Sequence, residues 1–216
     1  MPPVLRQSYI MNPMQVVLND IRTDSRLVIQ PARKMSDEKF FRFCMANPDL
    51  RIERTAEGEI VIMPPTGFET SNRNMDLSAQ LQVWAKRDDR GRAFDSNAEY
   101  MLPNGAALSP DASWVLRSRL ATLTPEQKKK FPPLCPDFVV ELRSPSDRLK
   151  KLQSKMREWI DNGAKLGWLI DPTTRTVYIY RPGQTTERLD GPKRVRGDAP
   201  VESFVLEMAD IWNPDL

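Results

Sequence analysis

The clearest hydrophobic pattern begins at Pro136. PDFVVEL carries apolar residues on both faces of an extended segment, and SPSD follows as a turn signal. Leu149, Leu152, Met156 and Ile160 then recur at helical spacing, with Ser146 or Asp147 as the expected N-cap. Asn162-Gly163 closes that helix in the left-handed way. LGWLID, the turn PTTR and TVYIYR read as two further strands. Strand, helix and strand in this order predict a crossover in a mixed sheet.

Upstream, LRIER and EIVIM flank Thr55-Ala56-Glu57-Gly58, a hairpin signal. A helix capped by Ser36 precedes them, with Phe40, Phe41 and Cys44 at helical spacing. A second helix runs from about Thr70 to Lys86 on a stripe of Leu77, Leu81, Trp84 and Ala85. Short strands are expected near Arg92–Asp95 and Glu99–Leu102, and SPDASWVL opens another. Thr124-Pro125-Glu126 reads as a helix start, and Val201–Leu206 as a strand in an irregular tail. Residues 1–34 show no period and read as an N-terminal arm before a single α/β domain over 35–216.

Composition narrows the chemistry. The chain has 216 residues, 40% hydrophobic and 28% charged, as expected of one globular domain. No apolar run approaches the roughly 20 residues of a membrane helix. The N-terminus lacks the apolar stretch of a signal peptide, so a cytoplasmic protein is expected. Cys44 and Cys135 lack the paired spacing of a zinc site and read as reduced core thiols. Histidine is absent. That excludes Ser-His-Asp and Cys-His catalysis, histidine general bases and imidazole-ligated zinc. No Gly-rich phosphate loop occurs. Catalysis would rest on carboxylates, lysine, arginine, tyrosine or hydroxyls, and carboxylates favour magnesium or manganese. The net charge is only +3, but basic residues cluster at 86–92, 128–130 and 148–157. Such clusters suit a polyanion or form a solvated helix face.

Strand alternation places Asp137, Val139, Glu141 and Arg143 on one face of PDFVVEL. A carboxylate between valine and leucine is costly to bury without a cation or an ion-pair partner. Asp137, just after a proline, reads as a turn or edge residue. Asp111 in SPDASWVL either opens a strand beside Glu141, where the two could share a divalent ion, or belongs to a plain turn. Lys155 lies at the border of its helix's apolar stripe. It either snorkels into solvent or reaches past the edge to a site at the strand.

The series ERTAEGEIVIMPPTG, LPNGAALSPDASWV, PPLCPDFVVELRSPSDRLKKLQSKMREWIDNGAKLGWLIDP and VYIYR resembles the Uma-two family of restriction-endonuclease-like proteins, placed in the PD-(D/E)XK nuclease superfamily. The resemblance spans about Ser36 to Arg181. It implies a restriction-endonuclease-like α/β fold, a mixed central sheet flanked by helices. It makes Asp111 and Glu141 the two motif acids and a Mg2+ (or Mn2+) site, with Glu53 as an auxiliary ligand. Arg143 stands where the superfamily has lysine, and arginine is a poor base. The family's lysine is displaced onto the following helix, here Lys155. Many members carry a histidine after the Pro-Gly turn, where this chain has Thr70, Asn72 and Asn74. The implied activity is metal-assisted hydrolysis of DNA, with Lys155 orienting water or stabilising developing charge and Arg143 gripping a phosphate oxygen. A homodimer, one copy per strand, is the superfamily's habit. The alternative is a non-catalytic nucleic-acid-binding or assembly module that keeps the fold.

Overall fold

The computed structural model describes residues 27–216. The expected arm lies mostly outside the described residues; its last part supplies β1 (Leu27–Ile29). The elements that follow are α1 (Asp37–Met45), β2 (Arg51–Arg54), β3 (Ile60–Met63), α2 (Phe68–Asp88), β4 (Gly91–Phe94), β5 (Tyr100–Met101) and β6 (Ala107–Leu108). Then come β7 (Ala112–Leu116), α3 (Arg117–Ala121), β8 (Phe138–Leu142), α4 (Leu149–Asp161), β9 (Leu166–Asp171) and β10 (Thr176–Tyr180). The chain ends with β11 (Glu187–Asp190), β12 (Arg194–Arg196), β13 (Val205–Glu207) and α5 (Ala209–Trp212).

The fold is the expected mixed α/β one. A six-stranded sheet runs β11-β10-β9-β8-β7-β4, parallel only between β8 and β9, the strands joined through α4. Its strand β8 is buried on both faces. Phe138, Val140 and Leu142 of β8 pack with Leu77, Leu81 and Ala85 of α2. Val139 packs on the other face with Leu152, Met156 and Trp159 of α4. The alternation read from PDFVVEL therefore holds. Glu141 falls on the α4 face, where a polar residue must find a partner.

A second sheet, β1-β3-β2-β6-β5, carries the β2–β3 hairpin and packs on α1. Arg54 of β2, opposite Ala107 of β6, is 1% exposed; its guanidinium bonds the Met35 carbonyl and Asp37 and lies over the Phe40 ring. Burial pushes the thiols of Cys44 and Cys135 up to about 12, so both stay protonated, as reduced core thiols should.

Three local expectations change. Thr124-Pro125-Glu126 starts only a 3-10 turn, Gln127–Lys129, because Lys130 turns back to extended backbone. Neither Ser146 nor Asp147 caps α4; Asp147 instead accepts from the backbone and hydroxyl of Ser144, closing the SPSD turn on itself. The tail strand is shorter than Val201–Leu206. Residues 201–204 form a turn, and only Val205–Glu207 pairs, with β12.

One close approach is testable. A Cβ at Gly91 would lie 2.3 Å from the Trp114 indole and 2.4 Å from the Val115 carbonyl oxygen. The obstacles are a 0%-exposed ring and backbone, neither of which can yield cheaply. Gly91→Ala should therefore cost about 2 kcal/mol or more in urea unfolding. A loss under about 0.5 kcal/mol would show that β4 can shift away from β7.

Candidate active site

β7 and β8 pair antiparallel with Ala112 opposite Val140. Continued by one residue, that register sets Asp111 opposite Glu141. Both side chains are buried, 8% and 3% exposed, and both line a cleft of about 370 Å³. Residues 63–69, from the end of β3 into the first turn of α2, and the turn at 144–147 form much of the cleft's walls.

Each acid is fixed by its surroundings. Asp111 Oδ2 accepts from the Leu142 amide at 2.7 Å, while Oδ1 faces Asn74 Nδ2 at 3.4 Å and Arg51 Nη2 at 3.8 Å. Glu141 Oε1 accepts from Trp159 Nε1 at 2.9 Å and lies 3.0 Å from Lys155 Nζ. Both interactions fall on one oxygen. Oε2 has no hydrogen-bond donor among the described residues.

Lys155 does not snorkel outward. Its ammonium reaches Glu53 Oε1 at 2.8 Å, the Ser109 carbonyl at 2.9 Å and Glu141. Trp159, one turn further along α4, anchors Glu141 from the same helix face. The helix thus delivers both the cation and the indole that orient the strand carboxylate.

The electrostatics follow from this burial. Burial raises the Asp111 pKa, against the opposing pull of Arg51 and the Leu142 amide. Burial pushes Glu141 up to about 7, with Lys155 opposing and Asp111 and Glu53 adding to the rise. Burial also works against the Lys155 charge, but Glu141 and Glu53 outweigh it and hold its pKa above the ordinary lysine range. Lys155 is therefore an ammonium at neutral pH. It can donate and neutralise charge.

Glu53 and Arg143 both have protein partners. Glu53 does reach the site, yet its Oε1 is spent on the Ser109 amide and Lys155. It is the lysine's counter-ion, and among the described residues no three carboxylates or thiols converge as a metal cage. Arg143 donates to buried Asp171 at 2.8 Å and to the Asp147 carbonyl at 3.1 Å. β8 ends at Leu142, and the chain turns there, so this guanidinium braces the SPSD turn. Asp137 is structural: it accepts from the Leu116 amide and pairs with Arg119.

Arg51 and Asn74 are the residues that the motifs did not single out. Arg51 lines the cleft and stands two positions before Glu53 on β2, so strand alternation would have put both on one face. Asn74 lies in the segment that lacks the family's histidine and faces Asp111 from α2.

No helix among the described residues is long and apolar enough to cross a membrane. No curated protein matches the chain significantly. Among solved structures, the chain is similar to the crystal structure of a putative nuclease belonging to DUF820 from Anabaena variabilis ATCC 29413. The TM-score is 0.64 at 25% identity, over 74% of this chain and 89% of that one. A family model described as Uma2, putative restriction endonuclease, matches residues 37–209. That match takes in the six-stranded sheet, all of the second sheet but β1, and every side chain of the Asp111–Glu141–Lys155 cluster, so the chain belongs to the Uma2 family of restriction-endonuclease-like proteins.

Proposed function

We propose that this protein is a nuclease that hydrolyses DNA phosphodiester bonds with a divalent cation at Asp111 and Glu141. The observation that supports this reading most is a shortage of positive charge. Two opposed carboxylates at the base of a cleft both have pKa values raised by burial, even with Lys155 and Arg51 beside them. The group that would keep both ionised is a further cation. Oxygen donors with one free carboxylate oxygen suit magnesium or manganese, which binds through one or two carboxylates and fills its shell with water and substrate phosphate. Such a site needs no three-carboxylate cage. The Uma2 description, a putative restriction endonuclease, and the neighbour's title, a putative nuclease, support the nuclease part of this reading.

When bound, the ion supplies Lewis-acid polarisation of the phosphate and a lowered pKa for the attacking water. The protein supplies the rest. The Leu142 amide and the Trp159 indole hold the two carboxylates in fixed orientations. Lys155, kept charged by Glu53 and Glu141, donates toward the phosphate or the incoming water and offsets charge that grows in the transition state. Arg51 grips a non-bridging oxygen, the role expected of Arg143, since it is the guanidinium that lines the cleft.

The test is incubation of pure protein with supercoiled plasmid and single-stranded circular DNA in magnesium or manganese, with and without chelator. Nicking or linearisation that needs metal supports the reading. DNA binding without cleavage in any metal would instead identify the non-catalytic module.

A further inference from the structure

Three features of the cleft and its surroundings bear on which form of nucleic acid it accepts. The first is depth. Asp111 and Glu141 are 8% and 3% exposed, so a scissile phosphate must descend into the cleft to meet them. A phosphate on an intact duplex is tied to stacked, paired bases on both sides. An unpaired strand bends and splays its bases freely.

The second feature is Phe68. It is the first residue of α2 and lines the cleft beside Pro64 and Pro65, yet 81% of it is exposed. An apolar ring left unpacked in water at the rim of a cleft is unfavourably placed. It suits a planar ligand, and every base has a π-face to offer.

The third is a second hollow of about 350 Å³, lined by Lys150, Lys151, Ser154 and Lys155, with the carboxylates of Glu53 and Glu158 engaged by Lys155 and Asn104. Because Lys155 lines both spaces, they adjoin across it. Lys150 and Lys151 are exposed. Two cations one step from the reacting centre match the phosphate that flanks the scissile one.

Resting on the nuclease reading, we propose that the site takes an unpaired nucleic-acid strand in preference to an intact duplex. One base stacks on Phe68, and a flanking phosphate lies in the hollow of Lys150 and Lys151.

The test measures binding in chelator, so that no cleavage intervenes. An oligonucleotide is compared with its own duplex at several salt concentrations. The single strand should bind at least about tenfold more tightly. Phe68→Ala should weaken single-strand binding by about tenfold or more, Phe68→Leu should do nearly the same, and Phe68→Trp should restore it. Since Phe68 is largely exposed, these variants should keep the wild-type unfolding midpoint, which is checked alongside. The double variant Lys150→Ala, Lys151→Ala should lower the single-strand slope of log affinity against log salt by about 0.7 for each phosphate that is no longer neutralised. Equal or tighter binding of the duplex with Phe68→Ala neutral overturns this proposal. Metal-dependent cleavage that persists in that case leaves the nuclease reading standing. Absence of binding to either form also overturns this proposal, and the plasmid assay in magnesium or manganese then decides the nuclease reading separately.

Discussion

Glu141→Gln should abolish metal-dependent cleavage, by on the order of a thousandfold or more, and should at the same time remove a pH-dependent weakness of the metal-free fold. The first effect follows from loss of a charged ligand while the shape of the site is kept. Glutamine still offers its carbonyl to Trp159, so the cleft should not collapse. The second effect comes from linkage. Burial raises Glu141 from 4.5 to about 7, so the folded protein keeps a proton that the unfolded chain has released. The contribution to stability is complete below pH 4.5 and is lost as pH rises through about 7. The shift corresponds to on the order of 3 kcal/mol, an upper bound since Asp111 and Lys155 titrate against the same group. Glutamine has no proton to lose. In metal-free urea unfolding, the difference between variant and wild type should therefore move in the variant's favour between pH 5 and 8. Magnesium at pH 8 should stabilise the wild type and leave the variant unchanged. A constant difference across that range, or an active variant, would remove Glu141 from the metal site.

Lys155→Ala should lower the cleavage rate by on the order of a hundredfold or more, with metal affinity unchanged or increased. The increase is expected because the ammonium sits 3.0 Å from Glu141 and competes with any other cation for it. Removing the lysine also leaves Glu53 and Glu141 buried without their shared partner, a loss of roughly 3–5 kcal/mol before Glu141 takes up a proton. Rates must therefore be measured where the variant is shown to be folded. Arg143→Ala is the contrasting case. Its guanidinium braces the turn through Asp171 and Asp147, so its loss should weaken substrate binding more than the rate at saturation. Single-turnover cleavage by the two variants decides between them. Wild-type rate in Lys155→Ala with a dead Arg143→Ala would give Arg143 the catalytic position.

The sequence by itself determined the main elements about the site and the faces they present. Alternation in PDFVVEL put Glu141 opposite the Phe138–Val140–Leu142 face, and helical spacing placed Lys155 beside Trp159 on α4; both hold in the fold. The absence of histidine fixed the kind of chemistry available, because it is a matter of composition and does not depend on folding. Partners across the chain were another matter. That Glu53 serves the lysine depends on Lys155 and the Ser109 amide arriving at the same carboxylate from α4 and the segment before β7. That Arg143 faces Asp171 depends on where β8 stops and on β9 running parallel beside it. The role of Arg51 needs the second sheet to bring β2 to within 3.8 Å of Asp111, sixty residues further along the chain. Local spacing reports which side of an element a residue occupies. Which charges neutralise each other is decided by distances of 3–4 Å between remote segments, and only tertiary packing sets those.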